Sequence, residues 1–118
     1  MNVLYLEDST PDVQLIHLYM DSVNHQFKSV ETIDEARQYL RRQQPDIFLV
    51  DIVIGKEMAY DLIAEVSAKK LSKHIVAVTA KALPAEQRQY IALGCDRVIT
   101  KPFTIDDLER TLDQLALK

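Results

Sequence analysis

Apolar residues are distributed along this chain in two alternating patterns. Short unbroken runs occur at Val3-Leu4-Tyr5-Leu6, Ile47-Phe48-Leu49-Val50, Ile75-Val76-Ala77-Val78 and Val98-Ile99. A run without polar alternation suits a parallel strand covered on both faces. The more polar Phe27-Lys28-Ser29-Val30 predicts an edge strand.

Between the runs the apolar spacing becomes helical. Val13, Ile16, Met20 and Val23 share one face of a first helix, with Thr10 as N-cap and Pro11 at the first helical position. Ile33, Ala36 and Leu40 mark a second, opened by Thr32 and Glu35 in capping-box spacing. Met58, Leu62 and Val66 predict a third. A fourth runs from Pro84 to about residue 93, where Gly94 suits the position after a helix end. Ile105, Leu108, Leu112 and Leu115 form the stripe of a fifth behind a Thr104 cap. Strand and helix thus alternate five times. That order predicts an α/β fold with a five-stranded parallel sheet, doubly wound by right-handed crossovers.

A chain of 118 residues is one domain by length and can bury a core without staples. No internal repeat, linker or low-complexity tract interrupts it, so the expectation is one domain over 1–118 with no output domain. The net charge of −4 and the scattering of Lys69, Lys70, Lys73, Arg37, Arg41 and Arg42 over separate segments argue against direct nucleic-acid binding. The single Cys95 makes no internal disulfide and reads as a small core residue. His17, His25 and His74 are dispersed, without the spacing of a zinc helix, and read as surface or loop residues. No run approaches the length of a membrane span or signal segment, and the expected location is cytoplasmic.

Chemistry gathers at the strand ends, where a doubly wound sheet places its ligand site. The first strand runs into Glu7-Asp8, the third into Asp51, the fourth into Thr79-Ala80 and the fifth into Lys101-Pro102. Three packed carboxylates raise one another's pKa unless a cation holds them ionised. A hard divalent ion does this, and Mg²⁺ uses a few carboxylates together with phosphate oxygens. Lys101 adds a positive charge and Thr79 a hydroxyl donor, so the set describes a pocket for a phosphoryl group.

These residues closely resemble the receiver domain of two-component response regulators over essentially the full chain. The resemblance rests on "LYLEDS", "PDIFLVDI", "IVAVTA" and "GCDRVITKPF" in that order. Gaps of 43 residues from Asp8 to Asp51, 28 to Thr79 and 22 to Lys101 separate the key positions. It implies a flavodoxin-like strand order 2-1-3-4-5. It also implies that Asp51 is the phosphoacceptor, taking a phosphoryl group from a phosphohistidine on a sensor histidine kinase or histidine phosphotransfer protein. Mg²⁺ or Mn²⁺ would be held by Asp8, Asp51 and the Val53 carbonyl, with Glu7 ordering its waters. Thr79, Ala80 and Lys101 would bind the phosphoryl group, and the Lys101-Pro102 bond would be cis. Phosphorylation would switch a surface on the fourth helix, fifth strand and fifth helix, where a downstream partner binds and where many receivers also form homodimers. The implied role is a signalling phosphoacceptor rather than an enzyme turning over a separate substrate.

Three departures bear on that role. Val98 stands where the family usually has a switch aromatic, and Tyr90 is the conceivable substitute. Ile54-Gly55 and then Met58-Ala59 replace the family's usual loop after the phosphoacceptor. Val53 and Lys81 flank the path of hydrolytic water, and an apolar Val53 is expected to leave that water unoriented and the phosphoryl group long-lived. Rival readings fare less well. A haloacid-dehalogenase-like phosphohydrolase needs a second Asp where Val53 stands, a flavodoxin needs a hydroxyl- and Gly-rich loop where "EDSTPD" stands, and a P-loop turn is absent. The remaining alternative is a receiver-like interaction module that works independently of phosphorylation.

Overall fold

The computed structural model describes residues 1–116. Its strands are β1 (Asn2–Leu6), β2 (Gln26–Val30), β3 (Ile47–Val50), β4 (Val53–Ile54), β5 (Glu57–Met58), β6 (His74–Thr79) and β7 (Arg97–Thr100). Its helices are α1 (Thr10–Ser22), α2 (Ile33–Arg42), α3 (Tyr60–Lys69), α4 (Pro84–Leu93) and α5 (Ile105–Ala116). Five strands form one parallel sheet in the order β2-β1-β3-β6-β7, and β4 and β5 form a separate antiparallel hairpin. The doubly wound parallel sheet expected from the alternation is the observed one, and β2 is its polar edge.

The unbroken apolar runs are explained by what covers each face. Leu4, Leu6, Phe48 and Val50 pack into a core with Ala36 and Leu40 of α2, Leu62, Ile63 and Val66 of α3, and Tyr90 of α4. Val3, Tyr5, Ile47 and Leu49 point the other way, into a core with Ile16 and Met20 of α1 and Leu108, Leu112 and Leu115 of α5. Successive side chains of a strand alternate between faces, so both sets must be apolar. The winding direction reverses between β1 and β3, which opens a crevice beyond their carboxyl ends.

Element boundaries differ from the sequence expectation in three places. Ser9, with φ −85° and ψ 108°, is the N-cap of α1, and Thr10 is already helical. Pro11 fits either assignment because its fixed φ suits any residue of the first turn. At the other end Asn24 adopts φ 59° and the His25 amide bonds back to the Met20 carbonyl, so α1 stops at Ser22 and Val23 lies outside the stripe. Met58 belongs not to α3 but to the β4–β5 hairpin, where it pairs with Val53 and is exposed. Gly55 at φ 60° reverses the chain there and delays the helix to Tyr60.

The remaining caps form as read. Thr32 Oγ1 accepts from the Glu35 amide at 3.1 Å. Thr104 Oγ1 accepts from the Asp107 amide at 3.1 Å, while Asp107 Oδ2 accepts from the Thr104 amide at 2.9 Å. These bonds satisfy helix-start donors that would otherwise lack partners. Among the described residues no helix is long and apolar enough to cross a membrane.

Candidate functional site

Three backbone hydrogen bonds extend the parallel ladder just beyond its strands. The Glu7 amide donates to the Val30 carbonyl at 3.0 Å, the Asp51 amide to the Leu6 carbonyl at 3.0 Å, and the Lys101 amide to the Thr79 carbonyl at 2.9 Å. The ladder therefore fixes the backbones of Glu7, Asp51 and Lys101 along one edge of the sheet, over the crevice. The Lys101-Pro102 peptide bond is cis.

Lys101 is the centre of the site. Its Nζ lies 2.9 Å from Asp51 Oδ2, 3.0 Å from Glu7 Oε2 and 3.1 Å from Asp12 Oδ2. Burial acts to lower the pKa of this ammonium, but hydrogen bonds to Asp51 and Glu7 outweigh burial and hold it above its ordinary value. Glu7 is buried, and its pKa is pushed up to about 7 by that burial and by the neighbouring Asp51, against the opposing pull of Lys101. One lysine therefore does not neutralise the carboxylates around it. Tyr5, directly below on β1, is wholly buried and its hydroxyl has no hydrogen-bond partner among the described residues. Burial, with the charges of Glu7, Asp12 and Asp51, holds that phenol well above its ordinary pKa.

Asp8 is exposed, and its Oδ2 accepts from the Gly55 amide at 3.0 Å. The hairpin is thereby tied to the acidic edge. Asp51 Oδ1 accepts from the Val53 amide at 3.3 Å, which leaves the Val53 side chain 40% exposed beside the pocket. Among the described residues no three acidic, histidine or cysteine side chains are already assembled around a common metal position. The donor set nonetheless suits a hard divalent cation. It consists of carboxylate oxygens in surplus over positive charge, and of the Asp8 oxygens only Oδ2 is engaged, by the Gly55 amide.

Thr79 is buried, and its Oγ1 accepts from the Lys81 amide at 3.1 Å, while Ala80 is exposed between them. The Lys81 ammonium is ion-paired to Glu86 on α4. The Tyr90 hydroxyl donates to the Lys81 carbonyl at 2.6 Å, and its ring stacks on Tyr60 with centroids 6.3 Å apart. Val98 is half-buried and packs against the same core as Tyr90.

Sequence reasoning brought Glu7, Asp51, Thr79 and Lys101 to this edge and missed Asp12. An acid in the first turn of a helix reads as a partner of the helix dipole, and nothing in its spacing links it to Lys101. Of the histidines, His17 lies on the exposed face of α1 facing Asp21, and His25 sits in the loop before β2. His74 is not a loop residue but opens β6, half-buried beside Asp96.

The sequence model of the response regulator receiver domain matches residues 3–113. The chain belongs to this family. The transcriptional regulatory protein PhoP of Escherichia coli strain K12 is 28% identical over 115 residues, covering 98% of this receiver domain and 52% of PhoP. The receiver domain thus spans about half the length of the curated relatives it matches. A two-component response regulator from Clostridium difficile superposes with a TM-score of 0.92 at 13% identity, covering 100% of this chain and 97% of that one. The receiver domain of a sensor histidine kinase from Pseudomonas aeruginosa PAO1 superposes with a TM-score of 0.85 at 23% identity, covering 99% and 98%. That structure carries a magnesium ion coordinated in its active site cleft. At these identities the two structures establish a shared fold.

Proposed function

We propose that this receiver domain of two-component signalling is a phosphoacceptor, with Asp51 as the residue phosphorylated. The observation that carries the reading is the position of Asp51, 8% exposed at the end of β3 with its Oδ2 2.9 Å from the Lys101 ammonium. A carboxylate held there faces the crevice, and a cation beside it can receive the charge of a phosphoryl oxygen.

In the proposed reaction an Asp51 carboxylate oxygen forms the bond to phosphorus, and the P–N bond of a partner's phosphohistidine breaks, its electron pair staying on the imidazole. Lys101 pairs with the phosphoryl oxygens. Thr79 turns its hydroxyl from the Lys81 amide to donate to them. Asp8, Asp51 and the Val53 carbonyl, with Glu7 through water, would hold Mg²⁺ or Mn²⁺. The ion, when bound, supplies positive charge against the crowded carboxylates and the phosphoryl oxygens. Glu7 contributes a buried carboxyl whose pKa is raised by that burial and by Asp51 beside it.

The proposed partners are a sensor histidine kinase or a histidine phosphotransfer protein, in the cytoplasm. The proposed output is binding of a downstream protein or output domain on the face of α4, β7 and α5. The chemistry supporting this output route is the link from Thr79 through Lys81 to Tyr90 on α4. The protein acts as a switch and has no separate substrate to turn over.

The test is intact-mass analysis after incubation with acetyl phosphate, with and without Mg²⁺, on the parent chain and on Asp51→Asn. The expected result is a Mg²⁺-dependent gain of about 80 Da, one phosphoryl group, abolished by the substitution. No gain in the parent would leave the phosphorylation-independent interaction module as the better reading.

A further inference from the structure

A lysine ammonium has three hydrogens to donate and no more. In this chain two are donated, to Glu7 Oε2 at 3.0 Å and Asp51 Oδ2 at 2.9 Å, and the Asp12 carboxylate stands against the same nitrogen as an ion pair at 3.1 Å. Lys101 is therefore enclosed by three carboxylates, and an incoming phosphoryl oxygen has to compete with them for its charge. The three differ in what their release would cost. The Glu7 side chain is 1% exposed, so losing its cation would strand a buried carboxyl. Asp51 is the acceptor itself and stays within reach of Lys101 throughout. The Asp12 side chain is 33% exposed and belongs to the first turn of α1, where water and the free helix amides can take up its charge.

We propose that Asp12 is a positioning residue for the phosphotransfer: it holds Lys101 in the resting site and competes with the phosphoryl group for that ammonium. The assignment rests on the phosphoacceptor reading of Asp51. Asp12 touches none of the reacting atoms. It acts through Lys101 and through its own charge, which stands at the mouth of a pocket that a phosphoryl donor dianion must enter. Its effect falls on capture of the donor rather than on the bond-making step. Asp12 sets a threshold donor concentration below which Lys101 stays with its carboxylates.

The experiment follows phosphorylation of the chain by acetyl phosphate at saturating Mg²⁺, separating the half-saturating donor concentration from the maximal rate. The parent is compared with Asp12→Asn and Asp12→Glu. With Asp12→Asn the half-saturating concentration should fall about fivefold, the upper range for a partly exposed ion pair, while the maximal rate stays within about twofold. Asp12→Glu restores the charge and should return the half-saturating concentration toward the parent value. A readout without phosphate accompanies these. The Lys101 ammonium signal in ¹⁵N NMR should exchange with water faster in Asp12→Asn, because one of the three carboxylates that enclose it has lost its charge.

An unchanged or raised half-saturating concentration in Asp12→Asn, with the parent phosphorylated normally on Asp51, would overturn the assignment and leave the phosphoacceptor reading intact. Unchanged ammonium exchange would overturn it equally. A parent chain that takes no phosphoryl group would overturn the phosphoacceptor reading, and the assignment with it.

Discussion

The Tyr90 hydroxyl donates to the Lys81 carbonyl at 2.6 Å, tying the middle of α4 to the loop that follows Thr79. Burial, with Tyr60 and Glu86 nearby, holds this phenol above its ordinary pKa, so it is a donor at neutral pH. Tyr90→Phe keeps the buried ring and removes one hydrogen bond. It should cost about 1 kcal/mol in urea denaturation, whereas Tyr90→Ala, which empties a core site, should cost about 3–5 kcal/mol. Equal losses in the two variants would mean that the hydroxyl and not the ring carries Tyr90's contribution.

Gly94 closes α4 at φ 125°, and a Cβ placed there would run into Cβ and Oγ of Ser67 on α3. Two separate penalties follow from adding one methyl group, a backbone that L side chains rarely adopt and an overlap between helices. Gly94→Ala should destabilise the domain by about 2–4 kcal/mol. Combining it with Ser67→Gly removes the overlap and leaves the backbone penalty. The double-mutant cycle should therefore recover about 1 kcal/mol or more of coupling. Strict additivity would show that α3 and α4 separate freely to admit the methyl.

The sheet was legible because each of its central strands is covered on both sides. Residues such as Leu4 and Leu49 enter different cores, and both places call for apolar bulk. Glu7, Asp51 and Lys101 were legible for a related reason. Polar residues at the ends of parallel strands must share one edge whatever the loops do. The β4–β5 hairpin was not legible, because Met58 lies four residues before Leu62 and fits the helical period, and Gly55 turns the chain only in three dimensions. Asp12 was hidden by ambiguity of another kind. Its local role at a helix start accounts for it fully, and its contact with Lys101 spans almost the whole chain.

Cys95 is buried, and that burial, reinforced by the charge of Asp96, pushes its thiol up to about 12 against the opposing hydrogen bond from Ala77. At pH 8 the thiol should be both neutral and covered. A disulfide reagent should modify the folded chain at least about a thousandfold more slowly than the chain in urea, at a rate set by opening of the fold. The sign of the linkage is also fixed. The folded value lies above the ordinary 9.0, so the neutral thiol favours the fold below that pH, and the contribution is lost as pH rises toward 12. Rapid modification at pH 8 without loss of structure would mean that the end of α4 opens locally.

Val53 bears on how long a phosphoryl group would last on Asp51. Its amide is bonded to Asp51 Oδ1 while its side chain, 40% exposed, offers nothing that could hold an attacking water. Lys81, the other residue proposed to flank the path of hydrolytic water, has its ammonium committed to Glu86. Neither position supplies a group to orient or deprotonate water, so the acyl phosphate should decay slowly. Val53→Asn adds a donor and an acceptor at an exposed site in a two-residue strand, where stability should change by about 0.5 kcal/mol or less. It should speed loss of the phosphoryl group roughly tenfold, a small share of what positioned acid–base groups contribute. The measurement is decay of the phosphorylated mass after the donor is removed, with Mg²⁺ held constant. If the parent already loses its phosphoryl group within seconds and Val53→Asn is no faster, water reaches Asp51 by a route that this side chain does not control.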